Sequence, residues 1–558
     1  MELNKQQPFI ELQKVLTLFD QTSTEAKISW LEKCSQQKLN SVKLIKAYHD
    51  QLLFLSAYAE NKQIFRLTQD ELNRLSDALI QLSAQKKEQL SNSGMPFTEI
   101  QGTYSFVLMQ WLIKNFPNSV SIHSFDETGV HPKELLKYRL NEMEFECIGN
   151  DTLSKTKWIQ LVSGFKKPKD QLKWLLKEFE MLNIDTVFKE QLFESLKLYI
   201  RINPADIRFS RSYGTVPIKE HYFHTKGLLK KFDEQALINQ KLPAPLKLSN
   251  EEKQVYLDKA RVALLLLNRE TDPITYGEAK DCLVYNLEHG LTIALYCIQP
   301  ALRLSVESYI GFMMFKNGYP MSYGGAWLFG QRSLIGINIF EAFRGGESAF
   351  VFAQLLRTYS QAFGATQFEV EPYQFGKGNP EGIKSGAFWF YYRFGFRPID
   401  TKLAQLAEQE ASKITANKGY RTDYETLKLF TKSNLLVNFK PTEIDIKPLQ
   451  ISDFITSVIA SQFMGSRVEA QKYCKATLQK ELGINFLKLK NEERIGFAKL
   501  SHFCVFCLNL QKLKPNHRLH LKTLILKKGT SEYQYIREYY KFPFDLYFTQ
   551  ALLDFKVK

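Results

Sequence analysis

Glu341, Arg344, Gly345 and Gly346 stand close together in the segment from Ile337 to Ala349. An apolar run ending near Phe343 precedes the glycines. A stretch with apolar residues at helical spacing, Glu347 to Phe363, follows them. A strand that turns through glycine into a helix gathers backbone N–H groups and the positive end of the helix dipole at one spot. Because glycine has no Cβ, a phosphate can approach the backbone there. Arg344, Gly345, Gly346, Ser348 and Ala349 are therefore candidates for holding a pyrophosphate, although a tight structural turn explains the same residues as well. Glu341 adds a second kind of chemistry. Strand side chains alternate between faces, so Ile337, Ile339, Glu341 and Phe343 share one side, and a carboxylate interrupts an apolar surface. Desolvation there would raise its pKa toward that of a general base. A strand-end ion pair with Arg344 is the alternative.

The elements around this turn read as a mixed α/β layer. Cys282–Leu287 and Leu291–Ile298 are short strands joined at His289–Gly290. Val306–Lys316 and Tyr319–Phe329 flank Asn317–Gly318, a strong signal for a two-residue hairpin. A third strand is predicted from Leu334 to Phe343. The helix Glu347–Phe363 stops at Gly364, a strand Thr366–Val370 follows, and a last helix spans about Glu381 to Phe394. Glu369 and Glu371 fall on the polar face of that strand, where exposure to solvent is expected. The first 248 residues read as mainly helical. Thr68 and Glu71 have capping-box spacing ahead of Leu72, Leu75, Leu79 and Leu82, and Ser249 and Glu252 repeat that spacing. Lys241–Leu–Pro–Ala–Pro–Leu–Lys247 is the best linker. Residues 401–558 read as a third, mainly helical region, clearest over Thr401–Ile414 and Ile451–Leu482.

One further motif gives the central region a resemblance. Ala387, Tyr391, Gly395 and Phe396 are spaced as in the closing signature of the GNAT acyltransferases. They follow a hairpin, an Arg-Gly turn opening a helix, and a strand. Residues 306–398 thus resemble the GNAT core, which makes 249–400 the expected α/β mixed-sheet GNAT-like domain, with helical regions on both sides. The resemblance implies transfer of an acetyl or longer acyl group from acetyl-CoA or another acyl-CoA to an amine acceptor. It places the CoA pyrophosphate on the turn, where Arg344, Gly345 and Ala349 match the family pattern. It makes Tyr391 the acid that protonates the departing thiolate and Glu341 the general base. Read as residues alone, Tyr391 sits in an aromatic run that suits a core equally well. The chain departs from the family at three places. Glu347 replaces a turn glycine and would repel a pyrophosphate. Lys384 stands in place of an asparagine. No strands are evident after Phe396.

The 558 residues carry a formal charge of +15, with 44% hydrophobic and 24% charged residues, an ordinary globular balance with room for about three domains. The seven cysteines are scattered, which points to a reducing compartment. Cys504 and Cys507 lack the second pair a zinc site wants, so no metal is expected. The longest aliphatic run, Val262–Leu267, is far shorter than a membrane span, and the N-terminus has no export signal. A cytoplasmic location is the expectation. The histidine pairs His221/His224 and His517/His520 lack a third ligand and read as structural. Lys512, Lys514, Arg518, Lys522, Lys527 and Lys528 cluster without an acid between them, which allows a nucleic acid or acidic partner. Two further readings follow from that charge: a non-catalytic GNAT-like scaffold that binds RNA or an acidic partner, and aminoacyl transfer from charged tRNA.

Overall fold

The computed structural model describes residues 6–148, 152–440 and 446–556. The expected helical N-terminal region divides in two. Helices Gln7–Val15, Gln21–Ser35, Val42–Ala57 and Lys62–Ile80 share the main hydrophobic core with the central sheet. The next hundred residues have a core of their own, built around Trp158, Leu172, Phe179 and Ile200. That core contains a small antiparallel sheet the sequence did not announce. It is formed by β1 (Ile100–Gly102), β2 (Val120–Phe125) and β3 (Leu198–Ile202), with β3 in the middle. These strands are only three to six residues long, too short for alternation to stand out against the surrounding helices.

The central sheet has eight strands: β4 (Leu283–Asn286), β5 (Leu291–Cys297), β6 (Ser308–Lys316), β7 (Tyr319–Phe329), β8 (Arg332–Ile339), β9 (Gln367–Val370), β10 (Arg397–Pro398) and β11 (Leu435–Asn438). Their spatial order is β4-β5-β6-β7-β8-β9-β11-β10. Every pairing is antiparallel except β8 with β9. The predicted hairpin forms, with Asn317 and Gly318 at φ of 48° and 83°, the left-handed pair that matches strand twist. Helix Ser348–Phe363 joins β8 to β9 and ends at Gly364, φ 78°.

Several boundaries differ from expectation. Strands do follow Phe396: β10 immediately, and β11 after two helices, so the sheet reaches past residue 400. Both are short, and β11 lies alone between helical patterns. The helix expected over Glu381–Phe394 is two pieces, Pro380–Lys384 and Ala387–Arg393, because Gly386 takes a left-handed φ of 68°. Ile451–Leu482 is likewise interrupted where Met464 and Gly465 are left-handed. Ser249 and Glu252 make their capping box. Thr68 and Glu71 do not. Asn61 caps that helix instead, Thr68 Oγ1 donates to Ile64 O within it, and Glu71 accepts from Tyr48 and Arg74. The proline-rich linker is held in place: Leu246 N donates to Val284 O at 2.7 Å, so it lies along the free edge of β4.

The C-terminal helices pack on the same sheet. Tyr533, in the helix Glu532–Lys541, stacks on Phe363 and donates to Leu295 O. Cys504 and Cys507 are buried in the helix Asn491–Cys507, where burial pushes both thiols up. Among the described residues there is no cluster of metal-ligating side chains, and no helix is long and apolar enough to cross a membrane.

Candidate functional site

Strands β8 and β9 stay paired over three residues only, from Arg332–Gln367 to Leu334–Glu369. Beyond Leu334, β8 runs on to Ile339 with β7 on one side, while β9 turns off and pairs with β11 on its other side. Side chains hold the closed end of this wedge. Glu369, predicted to be exposed, is 4% exposed and bonds to Arg332 and Asn434. Strand β11 covers it, which the sequence of β9 could not reveal. In the open part, Gln374 reaches across. Its Oε1 accepts from Ile337 N at 3.3 Å and from the Tyr391 hydroxyl at 3.4 Å. Gly336 leaves the room, since a Cβ there would meet the Gln374 amide at 3.0 Å.

Tyr391 sits in this wedge because Gly386 restarts the helix just before it. Its ring packs edge-on against Phe352, Phe375 and Phe396, and burial alone pushes its hydroxyl well above the usual phenol range. It is a neutral O–H donor among apolar rings, and its hydrogen-bond partner among the described residues is Gln374. Gln374 had no sequence signal, being one glutamine in a short turn.

Glu341 is not where alternation placed it. Strand β8 ends at Ile339, and Glu341–Phe343 form a 3-10 turn that buries Ala342 and Phe343 and leaves Glu341 at the surface. The expected pair with Arg344 is also absent: Arg344 Nε donates to Ile339 O at 3.3 Å, and no ion pair joins Glu341 to Arg344 among the described residues. Helix Val42–Ala57 supplies the neighbours instead. Asp50 pairs with Arg211 at 2.9 Å. Its carboxyl is raised first by burial, against the pull of Arg211, with the charge of Glu341 adding to the rise. Close by, His49 Nε2 lies 2.6 Å from Ser212 Oγ and His49 Nδ1 lies 3.9 Å from Asp50. This is the pairing of a nucleophilic serine with a base, but Ser212 and His49 are buried, only 2% and 1% exposed.

The glycine turn has one open and one filled side. A Cβ on Gly345, φ 91°, would meet only Thr17, at 3.9 Å. Arg344 and Gly345 are exposed, and Ser348 and Ala349 are half-buried at the helix start, where the first N–H groups have no intrahelical acceptor. Gly346 faces inward: a Cβ there would fall 2.7 Å from the Tyr58 ring and hydroxyl. The turn thus presents Arg344 and Gly345 to solvent, while the Cα of Gly346 packs inward on Tyr58. Gly346→Ala should destabilise the fold by about 1–3 kcal/mol, the cost of overpacking. Chemical denaturation would read this as a lower midpoint with an unchanged slope.

Glu347 departs from the expected repulsion for a related reason. Its carboxylate turns away from the mouth of the turn and is 2% exposed. It accepts from Lys316 Nζ at 2.6 Å and from Leu229 N at 2.9 Å, with His289 and His224 Nδ1 at 3.6 and 3.8 Å. Burial alone would raise this carboxyl, but contact with His289 and the charge of Lys316 hold it down at about 2. His224 goes to about 3, first through burial and then through Lys316. Both hairpin tips build this cluster: Lys316 also donates to His289 O at 2.6 Å, and Asn317 N to Gly290 O. His224 thus packs inside this cluster, while His517 lies 2.7 Å from the Tyr547 hydroxyl and His520 2.9 Å from Glu538.

Comparison with known proteins gives no matching family model, curated protein or solved structure. The wedge offers a backbone N–H at Ile337, a neutral phenol at Tyr391 and a replaceable amide at Gln374. The turn beside it offers Arg344 and the helix start. Together they suit an elongated ligand with an anionic end on the turn and a polar reacting end in the wedge.

Proposed function

We propose that the chain is an acyl-CoA-dependent N-acyltransferase with a GNAT-like core. The observation that carries this reading is the Tyr391 hydroxyl bridged through Gln374 to Ile337 N across the wedge between β8 and β9. Strands β10 and β11, which follow the Gly395–Phe396 motif, support it as well, and so does Glu347, whose charge is spent on Lys316 rather than aimed at the turn. In this reading the pantetheine arm of acetyl-CoA or a longer acyl-CoA enters the wedge, and the thioester displaces the Gln374 amide. Ile337 N–H then donates to the thioester oxygen as it gains charge. The acceptor amine attacks the acyl carbon, forming the C–N bond. Glu341, exposed at the end of β8, takes the amine proton through water. The C–S bond breaks, and Tyr391 gives its proton to the thiolate.

Calorimetric titration tests the cofactor side. Acetyl-CoA and longer acyl-CoAs should bind the wild type. Arg344→Ala should weaken that binding by about tenfold, the scale of one charge-assisted phosphate contact, and Glu341→Gln should leave it unchanged while lowering turnover. Equal binding in wild type and Arg344→Ala would move the phosphate off this turn.

The scaffold reading keeps one observation in its favour. Lys512 and Lys514 are exposed, and Lys522 and Lys527 are half-exposed. Lys528 leaves the patch, because it is fully buried and paired with Glu532. Tight RNA binding that collapses with salt, together with no acyl-CoA binding, would favour the scaffold. Aminoacyl transfer from tRNA rests on the same charge alone.

A further inference from the structure

At the start of β5 the protein leaves a hollow of about 680 Å³, three strands from β8 and the wedge. It is walled by the loop 217–223, the proline strap and the first turns of the helix Asn250–Leu265. Ile218, Phe223, Leu246, Leu248, Val255 and Leu287 line it, and none of them is fully buried. Ile218 and Val255 are 42% and 37% exposed. Apolar side chains left open around a concave surface of this size are the composition of a small-molecule pocket. The hollow follows β5. At one end Asn317 N donates to Gly290 O. Two residues on, roughly 7 Å along the strand, Thr292 lies opposite Phe315, on which the Tyr256 ring packs edge-on.

One polar side chain is set firmly into this lining. The His221 ring packs against Phe65 and Phe223, centroids 4.4 and 4.7 Å away, and its tautomer follows from its neighbour. Asn317 Oδ1 accepts from Tyr222 N at 2.8 Å, which orients that amide. Its Nδ2 donates to Ala57 O and Tyr222 O at 2.9 Å and stands 3.2 Å from His221 Nε2. An amide donor facing Nε2 makes that nitrogen the acceptor, so the proton of the neutral ring is on Nδ1. Burial, and then the charge of Lys316, holds the imidazole at about 4, so it is neutral at physiological pH. Nδ1–H has no acceptor among the described residues, and it is not sealed inside the protein. The histidine pair thus divides: His224 lies in the Glu347 cluster, and His221 leaves a free donor at the hollow. No free charge accompanies it. Lys219 and Glu220 are exposed neighbours of opposite sign, Glu252 accepts from Ser249 N in its capping box, and Lys316 is spent on Glu347. An ionised ligand head would lose its hydration with no counter-charge inside to replace it.

We propose that the hollow is a binding site for an uncharged aliphatic carbonyl compound. The carbonyl oxygen accepts from His221 Nδ1–H, and the alkyl part lies along β5 against Leu246, Leu248 and Val255. The site is separate from the wedge and from the glycine turn, and it stands whether or not the chain transfers acyl groups.

The test is calorimetric titration of the full chain with N-butyloctanamide, without acyl-CoA. Dodecanoate and N-butyloctylamine, an anion and a cation with the same number of carbons, are the charged controls. Saturable binding of the amide is expected, with each control weaker by about tenfold or more, since each must bury a charge. His221→Phe keeps the ring packing, and Asn317 retains Ala57 O and Tyr222 O as acceptors. The fold should therefore hold while amide affinity drops about fivefold, the scale of one neutral hydrogen bond. Val255→Trp fills the hollow from the helix surface and should abolish saturable binding. Thermal unfolding of both variants without ligand, expected near the wild-type midpoint, separates a lost contact from a damaged fold. Should His221→Phe melt early, Val255→Trp decides. No saturable binding of the amide, a control bound as tightly as the amide, or wild-type affinity in a folded variant overturns the proposal.

Discussion

Glu347→Gln is expected to destabilise the protein by about 3–5 kcal/mol, because it leaves Lys316 buried without its counter-charge. Lys316 is 1% exposed, and burial already pulls its pKa down against the attraction of Glu347. Glutamine can still accept from Leu229 N, but it cannot balance the ammonium. The double variant Glu347→Gln/Lys316→Met should recover most of the loss, since replacing both members of a buried pair is far milder than removing one. Denaturant midpoints of the three proteins measure this; a double variant no better than the single one would mean that the loss lies in packing rather than charge. The acid limb of stability follows from the same cluster. Glu347 is held at about 2 against an ordinary 4.5, so its contribution is present above about 4.5 and is lost as pH falls toward 2. His224 sits at about 3 against 6.5. The unfolded chain therefore takes up its proton first, and stability declines as pH drops from 6.5 toward 3. Both groups act in the same direction, so stability should fall continuously on acidification, and Glu347→Gln should flatten the lower part of that curve.

Tyr391→Phe is expected to lower kcat by about a hundredfold, the low end of what a positioned general acid contributes, while leaving acyl-CoA affinity and thermal stability near the wild-type values. The hydroxyl makes a single 3.4 Å contact, with Gln374, so little stability depends on it, and the ring keeps its packing with Phe352, Phe375 and Phe396. Single-turnover kinetics with an acyl-CoA and an accepted amine would isolate the chemical step. The loss should shrink with an acyl donor whose leaving thiol is more acidic, because a better leaving group needs less protonation. An undiminished rate in Tyr391→Phe would take the acid role from this residue.

Much of the sheet was legible in the sequence because its central strands are long and joined by chemically distinctive turns. Asn317–Gly318 forms the left-handed turn its dipeptide favours, and His289–Gly290, placed between two strands, is left-handed as well. Gly364 ends its helix for the same reason. The losses are local and have physical causes. Glu341 sits one turn past a strand end, and alternation carries no information on where a strand stops. Glu347 looked like a charge at the mouth of the turn because its partner Lys316 lies 31 residues away on a hairpin tip. Gln374 and Tyr58 became visible only once β8 and β9 had parted to form the wedge and the N-terminal helices had closed over the turn. Tyr391 was singled out by its spacing, whereas Gln374, its neighbour in the wedge, carried no such mark.

The two margins of the large sheet are closed by proline. On one side the strap containing Pro243 and Pro245 occupies the outer edge of β4 through Leu246. On the other the sheet ends in β10, two residues long, the second being Pro398. Proline has no N–H to offer a neighbouring strand, and open edges are the usual templates for chain-to-chain pairing. A sheet of eight strands rich in phenylalanine and tyrosine is therefore protected from fibrillar self-association at both ends, by backbone chemistry rather than by surface charge.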